Sequence, residues 1–214
     1  MQRRATKDWL LWFAIFYVLW GYGKKLLLLL PDSPIYWTLT PVVDNIPFVL
    51  LVGLVASKRL DLKRLGLASD APLRVAKHAA LVLAVFCTIV FVLRYPVWAL
   101  VGPFEYADVG NAAISPVSQT VRTVLLLEVL VVTSFMEEIV YRGILFSILP
   151  TSKVYVGLSS FLFATVHFHQ GLLSMVINGL IGVAACLIFL RVRNVLPLAL
   201  GHLGLNLLVF ASQS

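Results

Sequence analysis

The sequence predicts an all-α fold, a polytopic transmembrane helical bundle of about seven spans, and three observations carry that reading. Of the 214 residues, 60% are hydrophobic and only 13% charged, with a mean hydropathy of +0.95. An ordinary soluble domain is about half apolar and about a quarter charged. This chain therefore has too little polar surface to cover a water-facing globule, which excludes a soluble enzyme, a disordered chain and a disulfide-rich scaffold. Apolar runs long enough to span a membrane recur along it. The third observation is charge placement: 17 Lys+Arg against 10 Asp+Glu give a net charge of +7, and much of the excess sits between apolar runs. That pattern follows the positive-inside rule and points to a lipid bilayer rather than to nucleic acid.

Candidate spans lie at 9–30, 42–57, 79–100, 121–149, 154–169, 171–190 and 195–211. Met1-Gln2-Arg3-Arg4 and Lys7 ahead of the first run resemble a signal peptide, but no small-residue cleavage site follows, so an uncleaved span is expected. Lys24 and Lys25 interrupt that run, and the second run is short and begins at Asp44-Asn45. Short links bearing Pro or Gly separate neighbours: Pro31-Asp32-Ser33-Pro34, Pro150-Thr151-Ser152-Lys153 and His169-Gln170-Gly171. The stretch 58–77 holds Lys58, Arg59, Lys63, Arg64, Arg74 and Lys77 and is expected on the cytoplasmic side. Counting spans from it places the N-terminus, Lys153, Arg191 and Arg193 on that side. It places 101–120, with Glu105 and Asp108 but no Lys or Arg, outside. Cys87 and Cys186 lie alone in apolar runs and read as small buried hydrophobes. There is no internal repeat; 1–214 reads as one membrane domain, with 1–119 as N-terminal spans and 120–210 as the half that carries the motifs.

Ionisable residues within spans are costly unless paired or wetted, which makes them functional candidates. Glu137, Glu138 and Arg142 fall within 131–149, His167 near the end of 161–168, and His202 and Asn206 within 196–210. At a rise of about 1.5 Å per residue, Glu137 and His167 each lie roughly 18 Å from the cytoplasmic end of their span, and His202 and Asn206 about 10 and 16 Å. Three helices thus bring polar groups to one layer. Residues four apart share a helix face, so His202 pairs with Asn206, Phe163 with His167, and Glu138 with Arg142 as an ion pair that leaves Glu137 free. Taken singly, Glu138–Arg142 could be a structural ion pair, Asn206 interhelical glue like Asn178 with Ser174 and Gly182, and His202 a satisfied core histidine. Glu128 reads as interfacial, and His78 and His169 receive no role.

Three motifs stand in order: E-E-x-x-x-R from Glu137 to Arg142, F-x-x-x-H from Phe163 to His167, and H-x-x-x-N from His202 to Asn206. The set resembles the CPBP family, the CAAX proteases and bacteriocin-processing enzymes also called the Abi family, whose eukaryotic relatives are the type II CAAX prenyl endopeptidases. The resemblance covers about 120–210. It implies a glutamate-type intramembrane endopeptidase in which Glu137 activates a water with help from His167. His202 and Asn206 would stabilise the oxyanion, and Glu138 and Arg142 would hold the helix geometry or tune Glu137. Such hydrolysis needs a base in reach of a water and donors aimed at the developing charge. The chain offers no G-x-S-x-G and no cysteine at motif spacing from a histidine, so direct water attack is preferred over an acyl-enzyme.

A zinc site from Glu137, His167 and His202 is the enzymatic rival, although no H-E-x-x-H is present; otherwise no cofactor is expected. Outside enzymes, the same residues are compatible with a transporter built around a midplane proton site, or with a non-catalytic scaffold or immunity protein. Expected partners are a membrane-associated peptide or protein substrate and the bilayer. The expected location is a prokaryotic cytoplasmic (inner) membrane with the N-terminus inside.

Overall fold

The computed structural model describes residues 2–27, 34–57, 63, 65–67, 71–101, 128–149 and 151–211. Within these, the side chains of 2–7, 24–27, 34–44, 94–101, 128–129 and 210 are left aside. The acidic 101–120 stretch beyond Val101, the turn at Pro31-Asp32-Ser33, Lys58, Arg59, Arg64 and Pro150 lie outside the described residues, as do the side chains of Lys24, Lys25, Asp44 and Glu128.

The described residues are helical, with no strand among them. Helix α1 is Gln2–Leu27, α2 is Pro34–Ala56 and α3 is Pro72–Val101. Four abutting segments follow as one rod, α4: a π-helical Glu128–Thr133, an α-helical Ser134–Glu138, a π-helical Ile139–Ile144 and an α-helical Leu145–Ile148. Then come α5 (Ser152–Thr165), α6 (Leu172–Val192) and α7 (Val195–Ala211). Helix α3 starts seven residues before the expected 79 and takes Arg74, Lys77 and His78 out of the loop into its first turns. Pro72 at its first position explains this, because proline lacks only an N–H that no helix start could satisfy. Likewise α2 begins at Pro34 rather than 42, and α1 runs through Lys24 and Lys25 without breaking.

Among the described residues two helices are long and apolar enough to cross a membrane, Pro72–Leu93 and Leu172–Val192. Asn45–Ala56 and Val195–Val209 are apolar but shorter. Large apolar side chains face outward on several elements, with Trp12 and Leu19 65% exposed and Phe91 70%.

The corners are built from local chemistry. Thr151 caps α5, its side chain accepting from the Val154 N–H at 3.3 Å. Between α6 and α7, Arg193 turns left-handed at φ 55° and the buried Asn194 accepts from the Leu196 N–H at 3.0 Å through Oδ1. The Val195 N–H donates to the Gly66 carbonyl at 2.7 Å, which pins the segment 65–67 under this corner. Gly143 makes room for that segment on α4, since a Cβ there would stand 2.3 Å from the Leu65 carbonyl oxygen.

Helix α5 packs on α6, α3 on α7, and α4 on α7. At the α5–α6 contact a Cβ on Gly182 would meet the Ser160 Cα at 3.0 Å, so this glycine sets a close helix crossing. Asn178 plays a different part from the interhelical one expected: its Nδ2 donates to the Ser174 carbonyl and Oγ, at 2.9 and 3.1 Å, within the same helix. A polar amide in an apolar helix is satisfied there without a second helix.

Candidate active site

Rod α4 carries Ser134, Glu137, Glu138 and Arg142 toward α7 and α5. Its α-helical turn, Ser134–Glu138, lies between two π-helical ones. Such widened turns recur at functional sites because they re-aim side chains. Ser134, Glu138 and Arg142 are fully buried, and they fall at four-residue intervals on one face.

The expected Glu138–Arg142 pair forms, with Arg142 Nε 3.1 Å from Glu138 Oε2 and neither side chain exposed. The guanidinium lies over the Phe163 ring at 4.4 Å and the Tyr141 ring at 5.9 Å, so α5 and α4 cover its faces with π-systems. Glu138 has a second partner: His202 Nδ1 is 3.0 Å from its Oε1. With the Glu138 carboxylate paired to Arg142, its Oε1 accepts and His202 Nδ1–H donates. This fixes the imidazole and leaves Nε2 toward Glu137, whose Oε2 is 3.8 Å away. Glu137 keeps some solvent access, its side chain 12% exposed against none for Glu138. Two adjacent carboxylates thus flank one histidine, one buried in an ion pair and one at the edge of the buried set.

Asn206 lies one turn beyond His202 on α7. Its Nδ2 donates to Ser134 Oγ at 2.9 Å, while the Ser134 hydroxyl donates to the Leu130 carbonyl at 2.6 Å. That second bond uses the only hydroxyl hydrogen, so Ser134 must accept and the amide nitrogen of Asn206 must face it. One N–H of the amide remains for another acceptor.

His167 stands apart in its setting. Helix α5 ends at Thr165, so His167 lies in the turn that leads into a 3₁₀ segment, Phe168–Gln170, and not within a continuing span to 169. Its Nδ1 is 2.7 Å from the Phe163 carbonyl, which can only accept; Nδ1 carries the proton and Nε2 is the basic nitrogen. Phe163 and His167 share a face as expected, their rings 5.0 Å apart, and Phe163 also packs edge-on against His202 at 6.0 Å. Phe86 from α3 meets His202 from another side at 6.3 Å. Aromatic rings therefore wall the imidazole of His202. His169 stacks on His167 at 6.5 Å, and Tyr22 of α1 hydrogen-bonds Thr165 at the end of α5.

Among the described residues no group of three His, Cys, Asp or Glu side chains is placed to hold a metal ion. Cys186 is buried with its thiol 3.4 Å from Ser159 Oγ, the hydrophobic role expected, and Cys87 is half-buried; neither is bridged.

Two features of the cluster go beyond the sequence motifs. Ser134 belongs to none of them; its one signal is its place four residues before Glu138, on the face that carries the ion pair. Glu138 pairs with Arg142 by spacing, but it also holds His202, a contact across 64 residues.

The family described as type II CAAX prenyl endopeptidase, Rce1-like, matches residues 119–208. The match makes this stretch similar to that family over less than half of the chain. The stretch contains Ser134, Glu137, Glu138, Arg142, His167, His202 and Asn206 together, and helices α1 to α3 precede it. No curated protein and no solved structure matches the chain. Among the described residues the matched stretch takes in rod α4, helices α5 and α6 and most of α7, with the carboxylate–histidine cluster at the α4–α7 contact.

Proposed function

We propose that the chain is an intramembrane endopeptidase that hydrolyses a peptide bond in a membrane-associated peptide or protein by a Glu137-activated water. The observation that carries this reading is His202 held between two carboxylates of unlike surroundings: Glu138 at 3.0 Å, buried against Arg142, and Glu137 at 3.8 Å, partly open. The Rce1-like family match supports peptidase chemistry for the same residues. Glu138 and Arg142 neutralise one another, so a proton shared between Glu137 and His202 leaves that pair with no net charge, the least costly state in a low-dielectric setting.

In the proposed cycle Glu137 takes a proton from a water as the oxygen attacks the substrate carbonyl carbon. His167 assists, its Nε2 being the basic nitrogen once Nδ1–H is committed to the Phe163 carbonyl. The oxyanion then accepts from His202 Nε2–H and from the Asn206 N–H not engaged by Ser134. Donors held in place before reaction cost no reorganisation during it. The proton on Glu137 passes to the leaving amine, the C–N bond breaks, and the new carboxylic acid gives its remaining proton to the amine as carboxylate and ammonium products depart. His202 is oriented by Glu138, and Asn206 by Ser134.

The substrate reading is a leader, a CAAX-like tail or a sorting-signal segment lying at the bilayer. The chain is read as a bundle of about seven spans in a prokaryotic cytoplasmic membrane, with its N-terminus inside. Its catalysis is read as needing no cofactor. The test is the purified chain reconstituted in bilayers with a library of lipid-modified and unmodified membrane peptides in ¹⁸O-labelled water. The expected product is a new C-terminus carrying one labelled oxygen from water, lost with Glu137→Gln. Cleavage that persists in that variant would remove Glu137 from the mechanism.

A further inference from the structure

The two helices long and apolar enough to cross a membrane, Pro72–Leu93 and Leu172–Val192, bring their basic ends together. Between the start of α3 and the end of α6 lies a cavity of about 490 Å³ lined by Arg74, His78, Leu81, Ile188, Arg191 and Val192. Its composition is graded. Arg74 and Arg191 stand at the helix ends and His78 one turn further into α3, followed by Leu81; Ile188 and Val192 complete the apolar wall. Among the described residues no acidic side chain lines it. His78 Nδ1 is buried without a hydrogen-bond partner, a polar atom whose burial costs free energy unless something meets it. The neighbouring Arg193 is committed elsewhere, its Nε donating to the Leu190 carbonyl and its guanidinium 4.1 Å from the centre of the Phe146 ring.

We propose that this cavity binds a phosphate group, carried by the headgroup of an anionic phospholipid. Two guanidinium groups converging on one space suit phosphate, because their planar forks donate to its oxygens in pairs. His78 Nδ1–H supplies a further donor. Leu81, Ile188 and Val192 then take the first methylenes of the acyl chains, which a free anion would not use. Leu81 is 51% exposed, so the apolar floor is open to such contact. Basic pockets between spanning helices are a known physical solution for headgroups, since each nearby Lys or Arg adds attraction to an anionic leaflet. The site involves none of the residues of the proposed hydrolytic cycle.

The experiment is a thermal-unfolding titration of the full chain in an uncharged detergent. The probes are short-chain phosphatidylglycerol, phosphatidylcholine of the same chain length, and inorganic phosphate. A ligand that binds the folded state raises the midpoint increasingly with its affinity and concentration. The expected result is stabilisation by phosphatidylglycerol well below the phosphatidylcholine concentration needed. In Arg74→Gln/Arg191→Gln roughly twentyfold more lipid would be required. Lys153→Gln/Arg193→Gln removes equal charge outside the cavity and should respond like the native chain. Leu81→Trp keeps both arginines, fills the floor and should lose the lipid response, which tests the site even where the double arginine variant does not fold. Inorganic phosphate producing the full effect, lost in the cavity variants, would overturn the lipid assignment in favour of a soluble phosphate. Equal responses of native and cavity variants to every probe, or equal losses in the charge control, would overturn the proposal.

Discussion

Helices α1 and α4 pack on each other and bury opposite chemistry. Helix α1 turns Leu10, Phe13 and Ala14 inward yet leaves Trp12 and Leu19 65% exposed. Rod α4 turns Ser134, Glu138 and Arg142 inward with no exposure at all. In water this arrangement would be unfavourable on both counts, since burying a charge costs several kcal/mol and a large exposed apolar patch invites association. With lipid outside, the outward apolar face of α1 carries no penalty, and the interior becomes the place where polar groups find partners. The contrast teaches that α1 contributes apolar adhesion and α4 a buried polar cluster, so changes to the two should differ in kind as well as size.

The largest stability effect is expected at the buried ion pair. Arg142→Met leaves the buried Glu138 with His202 alone as partner and should cost about 3–5 kcal/mol, whereas Glu138→Gln/Arg142→Met together should cost less. Unfolding titrations of the three chains check this, and a double variant as unstable as the single one would break the ion-pair account. Next comes Gly143→Ala, which sets a Cβ against the Leu65 carbonyl and should cost about 1–3 kcal/mol through the forced displacement of α4 from the 65–67 segment. Ser134→Ala removes the acceptor of the Asn206 amide. A loss of about 1–3 kcal/mol is expected and, on the proposed mechanism, turnover should fall more than substrate affinity because Asn206, the proposed oxyanion donor, is left unpositioned. Smallest is Leu19→Ala on the outer face of α1, expected within about 0.5 kcal/mol of the native chain. A larger loss there would show that another protein surface covers this face of α1.

Much of the cluster is legible in the sequence because helix periodicity is strict. Glu138 and Arg142 pair at four residues, His202 and Asn206 project together, and comparable rises of roughly 10–18 Å along separate helices bring α4 and α7 polar groups to neighbouring depths. The helices themselves follow the apolar runs, but their ends do not: Pro72 extends α3 backward over Arg74 and His78, and α5 stops at Thr165, which puts His167 in a turn. Periodicity also cannot say which of Glu138's two oxygens meets which partner. The π-helical turns around Ser134–Glu138 depart from the 3.6-residue repeat on which such reasoning stands, and Ser134 offers only a small hydroxyl until Asn206 is seen opposite it.

The account stands most directly on Glu137. The decisive measurement compares cells carrying the native chain with cells carrying Glu137→Gln at matched membrane abundance, reading an inventory of peptide termini from membrane and secreted proteins. The substitution preserves shape and removes the base, which should lower hydrolysis by about 10²–10⁴-fold. The predicted result is that one or a few termini vanish in the variant while their uncut precursors accumulate, naming the substrate at once. Identical inventories, with a phenotype that appears only when the whole protein is removed, would contradict catalysis by Glu137.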